Sequence, residues 1–465
     1  MGDSAPRGIA VIDVGASNIK AVLFDPALNP VAERKTASGH ASAPPYAMLD
    51  PVPLAAFLRK TLPELDGILP LDVIVPCTHG SAVVCIAADG TPALPLMDYM
   101  AEPPPEIVAA YRTIEPPFDE VFCKLLPAAL TVGLQLYWQQ TAFPAEFARV
   151  KYIQPLVQHL TLMLTGVPLS EITGLSTHTQ LMDVRNNIPS SLARRQGWDR
   201  MIAPRQNAWD LAGPLLAQFR GTSFQGRGAV LTGIHDSNAN YLRYLAAGMG
   251  NFTLLSTGTW IIGFDTSATL DTLKPERDML TFTDLLGRPV ACFRFFGGRE
   301  YEILGRGAPA EAATHEAALR LMAQGTFALP SFTDSGGPMP GTGNKGRIVG
   351  PIPETPEEWS SLAAIYCALM SDQSLTAISS KGAMIVDGPF AQNPVYLDIL
   401  AALRPWQRLY ASQLRDGTTA GVAIVALMRE TGKIPSCALD LDQVPATPIT
   451  GLDTYAAEWL RQSST

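Results

Sequence analysis

Short apolar runs separated by small polar turns dominate the start of the chain. Residues 9–14 and 19–24 are two such runs, and the Gly-Ala-Ser-Asn segment between them suits a tight reversal between two strands. A third, more polar strand is expected over residues 31–36, after a turn rich in Asp, Asn and Pro. The pattern therefore predicts that the chain opens with an antiparallel hairpin and a third strand beside it.

Further along, apolar residues recur at helical spacing in several segments, which we expect to form helices. The clearest of these segments are residues 53–66, 124–140, 151–165 and 359–380. Short apolar runs that end in polar clusters lie between them, at residues 72–76 and 383–386 among others. Strands that alternate with helices predict an α/β fold.

A second hairpin pattern lies in the second half of the chain. The apolar runs 252–255 and 260–264 flank Ser256-Thr257-Gly258-Thr259. This repeats the first hairpin, with neutral hydroxyls where the first copy carries Asp13 and Asn18. Two hairpins with facing polar tips suit a phosphate chain held between two domains, and two unrelated hairpins remain an equally open interpretation.

Length and composition narrow the class of protein. A chain of 465 residues favours two domains, and 47% hydrophobic with 17% charged residues is typical of a globular protein. A net charge of −9 argues against a broad nucleic-acid surface. The six cysteines are scattered without a Cys-x-x-Cys pair, which favours structural thiols over a zinc or redox site. Without a long apolar run or an apolar N-terminal signal, we expect a cytoplasmic protein and no membrane partner.

The tip of the first hairpin gathers groups that suit a polyphosphate and its cation. Asp13 ends the first apolar run, and Gly15 allows a ligand to approach the backbone. Ser17, Asn18 and Lys20 offer hydrogen-bond donors just beyond it. From these residues alone, an ordinary buried hairpin is an equally open alternative.

Two further strand ends carry polar clusters. The strand near residue 230 leads into His235-Asp236-Ser237-Asn238 and then into a helix, so Asp236 is either a helix cap or a carboxylate acting as a general base. The strand at residues 383–386 ends at Asp387-Gly388 and is followed by a helix from Pro394, an arrangement that suits a nucleotide contact.

The order of these motifs resembles the FGGY carbohydrate kinases, within the wider superfamily of sugar kinases, heat-shock chaperone ATPases and actins. The resemblance covers nearly the whole chain. Residues 13–20 look like the first phosphate motif, 256–260 like the second, 233–236 like the segment with the catalytic aspartate, 387–393 like the adenosine motif, and 419–421 like the late Gly/Ala-rich helix. It implies two actin/hexokinase-like, ribonuclease H-like α/β domains around a central cleft. We expect residues 1–247 to form the sugar-binding domain and 248–465 the nucleotide-binding domain.

The activity that the resemblance implies is ATP-dependent phosphorylation of a sugar or polyol hydroxyl. Asp236 would act as general base, and Asp13 would hold Mg²⁺, mostly through water. Further nucleotide contacts implied by the motifs are Gly15, Ser17, Asn18, Lys20, Thr257, Gly258, Thr259, Gly388, Pro389 and Asn393. Sugar contacts are implied at Thr78, His79, Asp98, His235 and Asp236. From the residues alone, a satisfied loop histidine is an equally good interpretation of His79.

One departure from the family pattern and two rival functions stay open at this point. Several glycines usually begin the adenosine motif, but here Pro389 and Phe390 follow Gly388, so we expect a reshaped adenine pocket. A catalytically inactive sugar- or nucleotide-binding regulator is the first alternative, and a chaperone- or actin-like ATPase is the second. His235 and residues 176–181 look more like the rhamnulose and fuculose kinase branch, so we expect a ketose, such as a deoxyketohexose, as substrate. A homodimer is compatible with the sequence.

Overall fold

The computed structural model describes residues 7–42, 44–414 and 416–463. The N-terminal residues 1–6, where a leader segment was not expected, lie outside the described residues. The chain divides into two compact units, each built on its own large sheet. The first unit comprises Met1–Ala247, Phe282–Pro289 and Asp416–Cys437, and the second comprises Gly248–Thr281, Val290–Arg415 and Ala438–Thr465.

The elements up to residue 247 alternate between strands and helices. The strands are β1 (Gly8–Val14), β2 (Asn18–Phe24), β3 (Pro30–Ala37), β4 (His40–Ala41), β5 (Met48–Leu49), β6 (Leu71–Thr78), β7 (Val83–Ala87), β8 (Val150–Pro155), β9 (Met182–Asp183), β10 (Ile188–Pro189), β11 (Leu211–Pro214), β12 (Ala229–Leu231) and β13 (Ile234–His235). The helices are α1 (Pro51–Ile68), α2 (Pro105–Arg112), α3 (Phe118–Val121), α4 (Val132–Ala142), α5 (Pro144–Phe147), α6 (Leu156–Thr165), α7 (Ile172–Ser176), α8 (Ser191–Gln196) and α9 (Asp236–Ala246).

The same alternation continues to the end of the chain. The strands are β14 (Phe252–Thr257), β15 (Ile261–Asp265), β16 (Met279–Thr283), β17 (Pro289–Phe295), β18 (Phe327–Leu329), β19 (Arg347–Val349), β20 (Ala383–Asp387), β21 (Leu409–Ser412) and β22 (Leu441–Val444). The helices are α10 (Gly297–Gly305), α11 (His315–Ala323), α12 (Pro356–Ala377), α13 (Pro394–Leu403), α14 (Gly417–Met428) and α15 (Leu452–Ser463). None of the helices in the described part of the chain is long and apolar enough to cross a membrane.

The register of the first sheet places several strand ends side by side. The strand order is β11-β12-β6-β1-β2-β3, with β13 also paired to β6. β1 and β6 run parallel, and Val14 pairs with Thr78. β13 also runs parallel to β6 and pairs His235 with the same Thr78. Because parallel strands end at the same edge of a sheet, Asp13, Thr78 and His235 lie at one edge.

The second sheet repeats the strand directions of the first. In the first sheet β3, β2 and β1 are antiparallel neighbours, β6 and β12 follow in parallel, and β11 returns antiparallel. In the second sheet the strands β17, β15, β14, β20, β21 and β22 have the same sequence of directions. The two similar hairpins that were expected from the sequence are thus part of a longer repeat of six strands.

Both large sheets have buried central strands, and helices cover them. Every residue of β1 and of β20 is buried, as expected for sheets covered by helices. Helix α14 packs closely on α9, where a Cβ atom on Gly421 would lie 1.9 Å from the carbonyl oxygen of Ala239. Gly421 is therefore required for this helix contact. The α/β class predicted from the alternation of elements is confirmed.

Two predicted helices are only partly correct. Residues 124–140 were expected to be helical, but only Val132–Ala142 forms helix α4, and residues 124–131 are not helical. Residues 151–165 were expected to be helical throughout, but Val150–Pro155 forms strand β8 and only Leu156–Thr165 forms helix α6. β8 pairs antiparallel with β7 and is buried along most of its length. The pairing partner lies more than 60 residues earlier in the chain. Apolar spacing within residues 151–165 therefore cannot predict this strand pairing.

Candidate functional site

A charged cluster occupies the tip of the first hairpin. Asp13 and Lys20 are paired across β1 and β2, with Lys20 Nζ 3.5 Å from Asp13 Oδ2. Lys20 Nζ also lies 2.6 Å from Asp416 Oδ2. The other oxygen of Asp416, Oδ1, accepts a hydrogen bond from the backbone N–H of Thr419 and so caps helix α14. The lysine therefore joins two carboxylates that are distant in the sequence.

Burial changes the proton affinity of this cluster. The pKa of Asp13 rises from 3.8 to about 6, first because the carboxylate is buried, then because the negative charge of Asp236 opposes its ionisation. The charge of Lys20 acts in the opposite direction. Burial lowers the pKa of Lys20, but the hydrogen bond to Asp416 and the two negative charges outweigh it and raise that pKa overall.

The turn beyond Asp13 is fixed by its backbone and keeps its polar side chains at the surface. The N–H of Gly15 donates to the carbonyl of Asn18 at 2.9 Å, and Ser38 Oγ donates to the carbonyl of Gly15 at 2.7 Å. Ser17 and Asn18 are exposed. Of the predicted donors, Ser17 therefore lies in the turn and Asn18 and Lys20 lie at the start of β2, where Lys20 pairs with Asp13 across the hairpin.

Asp236 is the first residue of helix α9, next to a buried histidine. His235 precedes the helix, and its side chain gives no capping hydrogen bond. Its Nδ1 lies 2.8 Å from Asn238 Oδ1, and its Nε2 lies 3.0 Å from Asp236 Oδ1. The same carboxylate oxygen accepts hydrogen bonds from the N–H and the hydroxyl of Ser237. No described residue donates a hydrogen bond to Asp236 Oδ2, so this oxygen is open to a ligand.

Thr78 and His79 follow at the same edge of the sheet. Thr78 is buried and its hydroxyl donates to the carbonyl of His79 at 2.8 Å. His79 Nδ1 lies 2.8 Å from the carbonyl oxygen of Gly80, so that nitrogen carries the proton. Burial lowers the pKa of His79. The ring is therefore neutral at pH 7 and its Nε2 can accept a hydrogen bond.

Asp98 reaches the first hairpin through His40, a residue that the sequence analysis missed. His40 Nδ1 lies 2.8 Å from Asp98 Oδ2, and its Nε2 lies 2.7 Å from the carbonyl oxygen of Ala16. Both ring nitrogens face acceptors, which favours the doubly protonated ring. The hydrogen bond to Ala16 and then the one to Asp98 raise the pKa of His40. His40 therefore orients Asp98 relative to the hairpin turn.

In the second unit, the tip of the second hairpin is neutral and crowded. Thr257 Oγ1 donates to the carbonyl of Asp387 at 2.6 Å and accepts from the N–H of Phe390 at 3.2 Å. A Cβ atom on Gly388 would lie 2.1 Å from the carbonyl oxygen of Thr257, and one on Gly298 would lie 2.0 Å from that of Gly258. Gly388 also has φ = 91°. The backbone at Gly388 and the backbone at Gly298 each contact the second hairpin closely, which only glycine permits.

A cavity of about 320 Å³ opens beside this contact. It is lined by Gly258, Thr259, Gly298, Arg299, Tyr301, Glu302, Ala310, Pro389, Phe390 and Asn393. Asn393 caps helix α13 through its Oδ1, and its Nδ2 donates to the hydroxyl of Tyr301 at 3.2 Å. Phe390 is buried with its ring against Tyr301 and Tyr396. The predicted residues Gly258, Thr259, Pro389 and Asn393 thus line one cavity, together with Tyr301, which the sequence analysis did not identify.

The predicted residues therefore fall into two sets. Asp13, Gly15, Ser17, Asn18, Lys20, Thr78, His79, Asp98, His235 and Asp236 belong to the first unit, and Thr257, Gly258, Thr259, Gly388, Pro389 and Asn393 belong to the second. Of the residues that the sequence analysis missed, Asp416 had the clearest signal, because an Asp before Gly-Thr-Thr is typical of a helix N-cap. Nothing in the sequence around His40 or Tyr301 points to a site.

Within residues 7–42, 44–414 and 416–463, no group of three or more His, Cys, Asp or Glu side chains is arranged to hold a metal ion. A cation at Asp13 would therefore take most of its ligands from water and phosphate oxygens. Mg²⁺ commonly binds in this way, with one or two protein carboxylates.

One family profile and several solved structures match this chain. The profile of the family described as "Carbohydrate kinase FGGY, C-terminal domain" matches residues 249–434. No curated protein matched the sequence. Among solved structures, a carbohydrate kinase from Novosphingobium aromaticivorans is 30% identical, with a TM-score of 0.87 over 98% of this chain and 100% of that one.

More distant structures share the fold. A xylulose kinase from Rhodospirillum rubrum is 18% identical, with a TM-score of 0.79 over 98% of each chain. A glycerol kinase from Plasmodium falciparum, solved with ADP, is 13% identical with a TM-score of 0.76, over 99% of this chain and 98% of that one. The actin/hexokinase-like α/β fold is thereby confirmed. On the strength of the 30% identical structure, the chain belongs to the FGGY carbohydrate kinase family and is a sugar kinase that uses ATP.

Proposed function

We propose that this kinase transfers a phosphoryl group from ATP to a primary hydroxyl of a ketose, such as a deoxyketohexose of the rhamnulose or fuculose type. The observation that carries the proposal is the arrangement of Asp236, whose Oδ1 is held by His235 and Ser237 while its Oδ2 has no donor among the described residues. A carboxylate with one oxygen fixed and the other open is suited to accept the proton of an attacking hydroxyl.

The sugar would lie against the edge of the first sheet. His79 offers Nε2 as an acceptor for a sugar hydroxyl, and the hydrogen bonds to His40 and to the N–H of Met100 fix the orientation of Asp98. Thr78 and His235 lie at the same edge because β6 and β13 are paired there. The choice of a ketose rests on the likeness of His235 and of residues 176–181 to the rhamnulose and fuculose kinase branch.

The nucleotide would contact the second hairpin and the loop that follows β20. In the second unit, the backbone and hydroxyl groups of Thr257, Gly258 and Thr259 would contact phosphate, and Gly388, Pro389 and Asn393 would lie against adenosine. The cavity there is mostly apolar, which suits an adenine ring, and Phe390 packs back towards Tyr396. This packing makes Phe390 one wall of the cavity. The inactive alternative has no support in the comparisons.

The first hairpin would serve the phosphate chain and the cation. The donors Ser17, Asn18 and Lys20, with the backbone at Gly15, fit phosphate oxygens, and Asp13 fits a Mg²⁺ ion that keeps most of its water. Bound Mg²⁺ would reduce the charge repulsion between the phosphate oxygens and the attacking hydroxyl. With a pKa of about 6, Asp13 is mostly ionised at pH 7 and can serve this role.

The test is ADP release from Mg·ATP, measured by a coupled assay across ketoses, aldoses and polyols with a control that contains no sugar. Stimulation by a narrow set of ketoses, absent in Asp236→Asn, is the expected result. Stimulation only by aldoses or polyols would contradict the ketose assignment. Sugar-independent ATP turnover would instead point to an actin- or chaperone-like ATPase.

A further inference from the structure

A loop that contributes no residue to the proposed kinase site borders a second cavity in the second unit. Residues 330–346 are rich in Pro, Gly and Ser, and the loop leads into strand β19. The cavity measures about 380 Å³ and is lined by Arg277, Pro330, Pro338, Met339, Pro340, Gly341, Thr342, Lys345, Arg347, Gln373, Leu460 and Ser463. None of these residues lines the cavity at Gly258 and Asn393.

The charges at this cavity all have one sign. Arg277, Lys345 and Arg347 line it, and among the described residues no Asp or Glu does. Lys345 and Arg347 are exposed, and within the described chain neither has a carboxylate at ion-pair distance. In a protein with a net charge of −9, three cations around one concave surface form a local positive field.

Two carboxylates that adjoin lining residues in the sequence are engaged elsewhere. Asp278 accepts a hydrogen bond from the hydroxyl of Ser335 and lies 3.9 Å from Arg294. Asp372 is paired with the buried Arg404 at 2.8 Å. These two acids pair with other cations. Asp334, on the loop itself, is exposed and does not line the cavity.

The loop that carries Lys345 is held in place by its own hydrogen bonds. The N–H of Ser331 donates to the carbonyl of Thr342 at 3.0 Å, and the N–H of Gly346 donates to that of Ser331 at 2.8 Å. The N–H of Lys345 donates to the carbonyl of Thr342 at 3.0 Å. Arg277 Nη1 donates to the carbonyl of Pro338 at 3.1 Å, which ties that side chain to the same loop. These bonds preorganise the backbone that carries the cations, which reduces the entropy lost when an anion binds.

At the start of the loop, a buried glutamate adds to this rigidity. Glu300 accepts hydrogen bonds from the N–H groups of Phe332 and Thr333, at 3.0 and 3.1 Å, and from the hydroxyl of Thr333. Its other oxygen accepts from the hydroxyl of Tyr366. Both ends of the loop are therefore anchored, one on helix α10 and the other on strand β19.

We propose that this cavity binds a phosphorylated small molecule that carries two or more negative charges. The guanidinium and ammonium groups of Arg277, Lys345 and Arg347 would contact the phosphate oxygens. Thr342 and Gln373 would supply neutral hydrogen bonds, and Met339 would offer an apolar surface to the remainder of the molecule. The inference does not depend on which sugar the kinase phosphorylates.

Calorimetric titration of the full-length protein, without ATP, Mg²⁺ or sugar and at low ionic strength, tests this site. Pyrophosphate and glucose 6-phosphate are the charged probes, inorganic phosphate is the reference without an organic part, and glucose is the uncharged control. We expect both charged probes to bind and the double variant Lys345→Ala/Arg347→Ala to bind them at least about tenfold more weakly. Tighter binding of glucose 6-phosphate than of inorganic phosphate would show that the cavity also contacts the sugar part of the molecule.

Two control variants separate this site from general charge effects. Lys381→Ala/Arg408→Ala removes two exposed cations of the same unit that do not line the cavity, and it should bind like the wild type. Lys345→Arg/Arg347→Lys keeps the charges and should retain most of the affinity. The proposal is overturned if the wild type binds neither probe, if the neutral double variant binds as tightly as the wild type, or if saturating ADP abolishes the binding.

Discussion

The two hairpins with the predicted phosphate contacts have the same strand directions and opposite chemistry. The tip of the first is charged, with Lys20 between the carboxylates of Asp13 and Asp416. The tip of the second is neutral, and the hydroxyl of Thr257 is its main polar link to the neighbouring loop. The repeated framework therefore carries two chemically different hairpin tips, and we predict phosphate contacts at both.

This difference determines how each hairpin responds to change. The first depends on the charges of distant residues, since burial and the charge of Asp236 raise the pKa of Asp13. The second depends on close backbone contact, since Gly298 and Gly388 lie where a Cβ atom would collide with a carbonyl oxygen. We expect the first to be sensitive to pH and charge, and the second to side-chain volume.

The largest effect is expected for Asp236→Asn, which removes the proposed general base and one charge near the first hairpin. Turnover should fall by about 10²–10⁴-fold with sugar affinity nearly unchanged, because the amide cannot accept the proton. Steady-state kinetics with the best sugar of the panel measure it. The matched control is Asp89→Asn in an exposed turn of the same unit, which should leave turnover unchanged.

The same variant sharpens the comparison between the hairpins. The charge of Asp236 raises the pKa of Asp13, so its removal should lower that pKa and move the acid limb of the residual activity to lower pH. Turnover close to that of the wild type would mean that Asp236 is not the general base and only begins helix α9. An unmoved acid limb would show that the two carboxylates are not coupled.

Asp13→Asn should have opposite effects on activity and on stability. Turnover should fall by about 10²–10³-fold if Asp13 helps to hold the cation. The pKa of Asp13 in the folded protein, about 6, is above its ordinary value of 3.8, so its contribution to stability is fully present below pH 4 and is lost as the pH rises through 6. The asparagine variant avoids this loss and should be more stable than the wild type at pH 7, by up to about 3 kcal/mol.

Urea unfolding at pH 4 and at pH 7 measures this effect, and the difference between variant and wild type should nearly vanish at pH 4. Asp25, at the far end of β2, is the matched control. Hydrogen bonds from Asn29 lower its pKa, so Asp25→Asn should bring no stabilisation at pH 7. A destabilised Asp13→Asn protein at pH 7 would mean that the pairing with Lys20 outweighs the cost of burial.

The second hairpin should be sensitive to added side-chain volume, and Gly388→Ala tests this. The new Cβ atom would lie 2.1 Å from the carbonyl oxygen of Thr257, at a backbone conformation with φ = 91°. We expect a loss of about 1–3 kcal/mol of stability and a higher KM for ATP, because the loop must move away from the hairpin. Gly307→Ala is the control, since Gly307 has φ = 80° with open space around its Cα. Equal effects of the two substitutions would assign the cost to backbone strain alone.

The comparison also shows which features the sequence can predict. The runs 9–14 and 19–24 were predicted as strands and correspond to Gly8–Val14 and Asn18–Phe24, because apolar runs and turn residues are local signals. Residues 252–255 and 260–264 match Phe252–Thr257 and Ile261–Asp265 for the same reason. The helix predicted at 151–165 fails at its start because the pairing of β8 with β7 is a long-range contact.

The electrostatics of the site could not be predicted in the same way. The ion pair of Lys20 and Asp416 joins residues 396 positions apart, and His40 reaches Asp98 across 58 positions. The sequence identified Asp13 and Lys20 as candidates by their place in a turn, but the pKa of Asp13 depends on burial and on Asp236, which only the fold brings near. Local patterns therefore predict which residues face a ligand better than they predict the charge those residues carry.

The smallest effect on activity is expected for Thr257→Val, which keeps the shape of the second hairpin and removes its hydroxyl. The variant loses the hydrogen bond to the carbonyl of Asp387 and the one from the N–H of Phe390, which together cost about 1–3 kcal/mol of stability. Thr257→Ser keeps the hydroxyl and should retain most of this energy. If the valine variant unfolds like the wild type but has a higher KM for ATP, the hydroxyl serves the nucleotide directly. If valine and serine both behave like the wild type, backbone contact alone joins the two loops, and the second hairpin depends on volume more completely than we propose.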